Sequence, residues 1–302
     1  MSDRSPTPLR TGVRLFVNAA QVVTCAGAAR ARRGAEMRDA GLLSGVAVAI
    51  DGPLITAVAL QDDLERMYPD AERIDCQGGV LTPGLVDSHT HAIFGKPRYE
   101  EQEQRGAGLD YMDIARRGGG IHASVRDLRQ RSEDELVSLA LPRLRRVASY
   151  GATTVEVKSG YGLTVEDELK SLRAIRRLGE LLPLRLVPTF LGAHEIPMEA
   201  RESAETRADY VASLVTEMIP RVVEGGLARF ADVFCEPGVF TIDETRTVLS
   251  AARAAGLRLK LHADELRPSG GAELAAALGA TSADHLGAIS EQGIKALAAS
   301  QT

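Results

Sequence analysis

Residues 80–91 read Val80-Leu81-Thr82-Pro83-Gly84-Leu85-Val86-Asp87-Ser88-His89-Thr90-His91, and the fold is read outward from them. An apolar run, Val80–Val86, is punctuated by Pro83-Gly84 and passes directly into a polar end. In a strand, residues i and i+2 point to the same face, so His89 and His91 are expected to project together. Two imidazoles on one face at the end of a buried strand make half of a metal site. Imidazole suits zinc and divalent iron, and a catalytic site of that kind keeps a position open for water. Alone, H-x-H is a weak signal, because chance pairs are common.

Downstream, short apolar strands alternate with amphipathic helices. The strand candidates are residues 80–86, 153–157, 185–190, 230–235, 258–261 and 281–283, and the main helices are residues 133–150, 165–182 and 242–255. This alternation predicts a parallel sheet with helices packed outside it. A (β/α)8 barrel is preferred over an open doubly wound sheet because strand after strand ends in a polar cluster. A barrel brings all its strand ends to one mouth. No dinucleotide-binding glycine pattern follows the first strand, and Gly118-Gly119-Gly120 has no Lys-Ser/Thr after it, which argues against a phosphate loop.

Ahead of the barrel, residues 13–24 and 46–60 read as strands, the second pair joined by the turn Asp51-Gly52-Pro53. Residues 26–41 read as a mobile loop. Residues 1–79 therefore form a small β module and residues 80–302 the barrel.

Composition narrows the function classes. The 302 residues carry a net charge of −5 with signs interspersed, so no basic face recommends nucleic acid. No apolar run reaches the roughly 18 residues of a membrane helix, and Met1–Arg10 lack a signal peptide's apolar core. Cys25, Cys76 and Cys235 are odd in number and widely spaced, reading as reduced, mostly packed thiols of a cytoplasmic protein. A small-molecule substrate is the remaining partner, and the sequence leaves a homodimer open.

Five of the six histidines lie at or just past expected strand ends: His89, His91, His194, His262 and His285. His262, in Leu261-His262-Ala263-Asp264-Glu265, reads as a third metal ligand or as a satisfied core histidine. Glu265 reads as a proton acceptor for metal-activated water or as a carboxylate favoured at a helix start. His194 and His285 could orient a carbonyl or stabilise developing oxyanion charge. Arg98 offers a fork suited to a carboxylate, and the Tyr161 hydroxyl, set among glycines, could reach the mouth.

Together these residues resemble the imidazolonepropionase family of metal-dependent amidohydrolases. The resemblance rests on Pro83–His91, Gly118–Ile121, Glu156-Val157-Lys158-Ser159-Gly160-Tyr161-Gly162-Leu163, Phe190–His194, Lys260–Glu265 and Ser282–Leu286. It implies a (β/α)8 barrel with a small β-sandwich, and hydrolysis of 4-imidazolone-5-propanoate to N-formimidoyl-L-glutamate in histidine breakdown, with zinc or iron. It implies His89, His91 and His262 as metal ligands, and Arg98, Tyr161 and His194 as substrate contacts, with Arg98 toward the propionate. Glu265 follows as ring contact and candidate base, with His285 as its supporting or catalytic partner. Lys96-Pro97 depart from the glycine-serine usual before that arginine. A barrel needs about 250 residues, so one starting near residue 80 should run to about residue 330. The last strands and the family's aspartate ligand are therefore expected to be missing, giving weak metal binding and little turnover. The alternatives are another amidohydrolase or deaminase of the same barrel, and an inactive remnant that binds metal only.

Overall fold

A computed structural model describes residues 12–109 and 119–302. Gly118 of the glycine loop and Met1–Arg10 lie outside them. The chain divides into two compact units between Leu85 and Val86.

The first unit is built from two sheets. Strands β1 (Val13–Val17), β4 (Val46–Asp51), β5 (Leu54–Leu60) and β6 (Glu72–Asp75) form one in the order β5-β4-β1-β6. Strands β2 (Gln21–Val23), β3 (Leu42–Leu43) and β7 (Val80–Leu81) form the other in the order β3-β2-β7. The hairpin expected at Asp51-Gly52-Pro53 joins β4 to β5, with Gly52 at positive φ. Alternate residues of β1 and β4, Leu15, Val17, Ala47 and Ala49, meet Leu64 in a small core. Within the stretch read as a loop, Gly34–Arg38 form a 3-10 turn. Of the three free cysteines only Cys235, in the second unit, is buried, and Cys25 is exposed, so the expectation of mostly packed thiols does not hold.

The run Val80–Val86 is not one strand. Pro83 and Gly84 break it: Val80–Leu81 pair with β2, and β8 (Leu85–Asp87) begins a separate sheet. That sheet continues with β9 (Ala152–Lys158), β10 (Arg185–Ala193), β11 (Phe230–Cys235), β12 (Arg258–Ala263) and β13 (Ser282–His285), each beside its predecessor. The pairings from β9 to β13 are parallel. Helices follow the strands, and several start at hydroxyl caps. Ser132, Thr164, Thr241 and Ser290 each accept a backbone N–H of the first helical turn. The helix Val165–Leu181 buries Leu169, Leu172, Ile175 and Leu178, spaced by three as one helical face requires.

Each strand has two chemically distinct faces. In β9, Val155 and Val157 join the apolar core while Glu156 and Lys158 alternate with them; in β12, Leu259 and Leu261 alternate with Lys260 and His262. The charged set, buried as well, faces inward. The sheet is strongly curled. Six flat strands would separate the outer two by about 24 Å at 4.8 Å spacing. Instead His89, just past β8, reaches Asp284 of β13 at 2.8 Å, and Lys260 Nζ donates to Ser88 O at 3.1 Å. The architecture is α/β with a curled parallel half-barrel. Among the described residues no helix is long and apolar enough to cross a membrane.

Candidate metal centre

The C-terminal ends of the curled strands bring five histidines into contact. His89 and His91 lie in extended chain beyond β8 rather than inside a strand, yet their Nε2 atoms are 3.2 Å apart. His262 Nε2 lies 3.3 Å from His91 Nε2. Two nitrogens bound to one tetrahedral ion at 2.0–2.1 Å would stand about 3.3–3.4 Å apart, so this spacing suits a shared divalent ion. His194 stacks on His91 with ring centres 4.8 Å apart, and the His285 ring lies 4.9 Å from His89 and 5.0 Å from His262. Two sets of three histidines have ligand atoms close enough to hold a metal, His89-His262-His285 and His91-His194-His262. His262 belongs to both.

The tautomers are fixed from behind. His89 Nδ1 donates to Asp284 Oδ2 at 2.8 Å, and His262 Nδ1 lies 2.9 Å from Asp232 Oδ2. A carboxylate on Nδ1 leaves the Nε2 lone pair free toward the centre and raises its basicity. His194 Nδ1 donates to Gly160 O at 2.9 Å, which frees its Nε2 in the same way. Burial, reinforced by the neighbouring imidazoles, holds His91 well below the usual histidine pKa and lowers His194 to about 3. Both rings are therefore neutral near pH 7, the form a metal requires. Burial alone would raise Asp232 and Asp284, but His262 and Lys158 at the first, and His89 with the two lysines at the second, hold both below the ordinary carboxylate range.

A cavity of about 620 Å³ opens above the histidines, and Arg98, Tyr161, Phe234 and Glu265 also line it. Arg98 caps the helix Tyr99–Gly106, and its Nη1 is buried without a hydrogen bond, the nearest carboxylate being Glu101 at 3.4 Å. The Tyr161 ring packs 5.1 Å from His194. Glu265 Oε2 lies 3.5 Å from His285 Nε2, and both remain partly open to solvent. Every site residue named from the sequence thus lines one cavity. The sixth histidine, His122, is not among the residues lining it.

Buried carboxylates shape the loops that present these groups. Glu168 accepts the backbone N–H groups of Gly160, Gly162 and Leu163, around Tyr161. Glu236 does the same for Glu265, Leu266 and Arg267. Asp264 and His285 sit at positive φ, a cost concentrated at the cavity mouth. Asp232, Glu168 and Glu236 had no place in the sequence reading, and Glu156, Lys158 and Asp284 appeared there only inside motifs. For Glu156 and Lys158 the available signal was charge at every second position of a buried strand; Glu168 lies in a helix and Glu236 just past β11, where no such pattern points to them.

The chain is similar in sequence to known enzymes. Imidazolonepropionase of Symbiobacterium thermophilum is 50% identical over 292 residues, covering 95% of this chain and 68% of the relative. That of Alkaliphilus metalliredigens is 46% identical over 286 residues, covering 94% and 67%. The chain belongs to the imidazolonepropionase family. It spans about two thirds of the length of these relatives. No protein-family model matches it. Among solved structures, 5-methylcytosine deaminase from Klebsiella pneumoniae is similar in fold, with a TM-score of 0.59 and 16% identity over 88% of this chain and 55% of that one. A variant of atrazine chlorohydrolase from Arthrobacter aurescens, solved with zinc and atraton, is similar at a TM-score of 0.50 and 17% identity, with the same coverage. Family members and fold neighbours alike are enzymes, and those whose names state a reaction include hydrolases and deaminases.

Proposed function

We propose that this chain carries the metal-binding part of an imidazolonepropionase, hydrolysing the cyclic amide of 4-imidazolone-5-propanoate to N-formimidoyl-L-glutamate in histidine degradation. One observation carries the reading: carboxylate-oriented imidazoles converge under a cavity that Arg98 also lines. His89, His91 and His262 would hold the ion, zinc or iron, since the all-nitrogen set accepts both. Such an ion supplies Lewis acidity and lowers the pKa of water toward neutrality.

The protein's own groups do the rest. Glu265 accepts the proton of the attacking water and, with His285 beside it, passes it to the departing ring nitrogen. Arg98 takes the propionate carboxylate through its planar fork. Tyr161 and His194 orient the ring carbonyl. The curled sheet is read as part of a (β/α)8 barrel, and the first unit as half of a β-sandwich module. A cytoplasmic location, with no nucleic-acid or membrane partner, completes the proposal.

The test is loss of substrate ring absorbance in a solution of the purified, metal-loaded chain. In a full-length relative, the change equivalent to Arg98→Lys should raise KM about tenfold with kcat less affected; unchanged constants would remove Arg98 from the site. The deaminase neighbours favour a second reading, and ammonia release from cytosine or guanine without hydrolysis of imidazolonepropionate would establish it instead.

A further inference from the structure

The most deeply buried cation of the second unit plays no part in the chemistry above. Lys158 is fully buried, projects from β9 into the inward face of the sheet and does not line the cavity. Its Nζ donates to Glu156 Oε1 at 2.8 Å and to Asp232 Oδ2 at 2.7 Å, and lies 3.5 Å from Asp284 Oδ2. These carboxylates come from β9, β11 and β13, so one ammonium spans three alternate strands. Two of the contacted oxygens are the very atoms that face the histidines: Asp232 Oδ2 is 2.9 Å from His262 Nδ1, and Asp284 Oδ2 is 2.8 Å from His89 Nδ1.

We propose that Lys158 is the positioning residue of the histidine cluster, tying Asp232 and Asp284 together so that each presents one oxygen to its histidine. The inference rests on the metal reading given above. Its physical basis is the crowding of like charges in a dry interior. Without a cation among them, Glu156, Asp232 and Asp284 repel one another and swing apart. The two imidazoles then lose the partners that fix their tautomer and plane. Lys260 also reaches Asp284, at 3.4 Å, but it is Lys158 that pairs with Glu156 and Asp232, while Lys260 donates to Ser88 O. Glu156 contacts no histidine, its second oxygen accepting from Thr90 N at 3.3 Å, so its role is to seat the ammonium.

The experiment titrates Zn²⁺ into the metal-stripped chain against a chromophoric chelator and records the visible spectrum of the Co²⁺ form. Lys158→Met should weaken Zn²⁺ binding about 10–100-fold, the range for removing a group that orients metal ligands. It should also shift the Co²⁺ bands, which report donor geometry and not global stability. If the single variant does not fold, Glu156→Gln/Lys158→Met removes one carboxylate with the ammonium, preserves the charge count and should show the same loss. Zn²⁺ affinity within twofold of the parent, with an unchanged Co²⁺ spectrum, in whichever variant folds would overturn the proposal. A parent chain that binds no Zn²⁺ would overturn the metal reading and this inference together, whereas binding by parent and variant alike defeats the inference alone.

Discussion

Gly160 shows how one residue is constrained by the site around it. Its φ is +111°, and a Cβ there would stand 3.0 Å from His194 Cβ and Nδ1 and from Leu191 O. Its carbonyl accepts the His194 Nδ1 proton while its N–H goes to Glu168. Gly160→Ala should therefore cost about 1–3 kcal/mol, measured by urea unfolding, and displace His194. On the proposed role of His194, kcat/KM should fall in the same variant; normal stability with normal kinetics would show that the loop adapts. His262 is the other single point of dependence, since it belongs to both candidate metal sets. His262→Ala should abolish stoichiometric metal binding, read by elemental analysis after gel filtration.

At the scale of elements, the helices offer cleaner tests because fewer interactions meet there. Gly179 lies within the helix Val165–Leu181 with nothing near its missing Cβ. Gly179→Ala should stabilise the protein by about 0.5–1 kcal/mol, since alanine loses less conformational freedom on entering a helix. The helix Ile242–Ala254 carries a pH-dependent contribution. Glu244 completes its capping box with Thr241 and receives a bidentate contact from Arg207 at 2.7 and 2.8 Å. Arg207's hydrogen bonds lower the Glu244 pKa below its reference 4.5, against the opposing effect of burial. A carboxyl with a depressed folded-state pKa stabilises above the unfolded value and loses that contribution as pH falls through the folded one. Glu244→Gln should thus lower stability by about 1–2 kcal/mol at pH 7. The difference in melting temperature from the parent should shrink steadily below about pH 4.5. A pH-independent difference would assign the effect to packing.

Over the whole molecule, the decisive feature is that the two outer strands of the curled sheet meet through side chains at the candidate metal centre. Any ion bound there by His89 and His262 joins groups anchored on β8, β12 and, through Asp284, β13. Zinc at 100 times its dissociation constant should then stabilise the folded chain by about 2.7 kcal/mol. Thermal melts with and without a chelator check this, and the shift should vanish in His262→Ala. The first unit depends on its own small core, so Leu15→Ala there should cost about 2–5 kcal/mol.

The order of the strands, the turn at Asp51-Gly52-Pro53 and the polar strand ends were determined by the sequence itself, whereas residues 80–86 read as one strand and divide between two sheets. The former follow from local periodicity and turn chemistry, which act over a few residues. Five of the histidines and Glu265 were legible for the same reason, as polar groups placed where apolar runs stop; Arg98 and Tyr161 were singled out through the family resemblance. Only the tertiary structure decided their supports. Period-two charge in β9 and β12 marks an inward face, but it cannot say that Asp284 lies against His89, 195 residues away, or Asp232 against Lys158. Those pairings depend on strand register and on how far the sheet curls, which arise from the packing of all six strands at once.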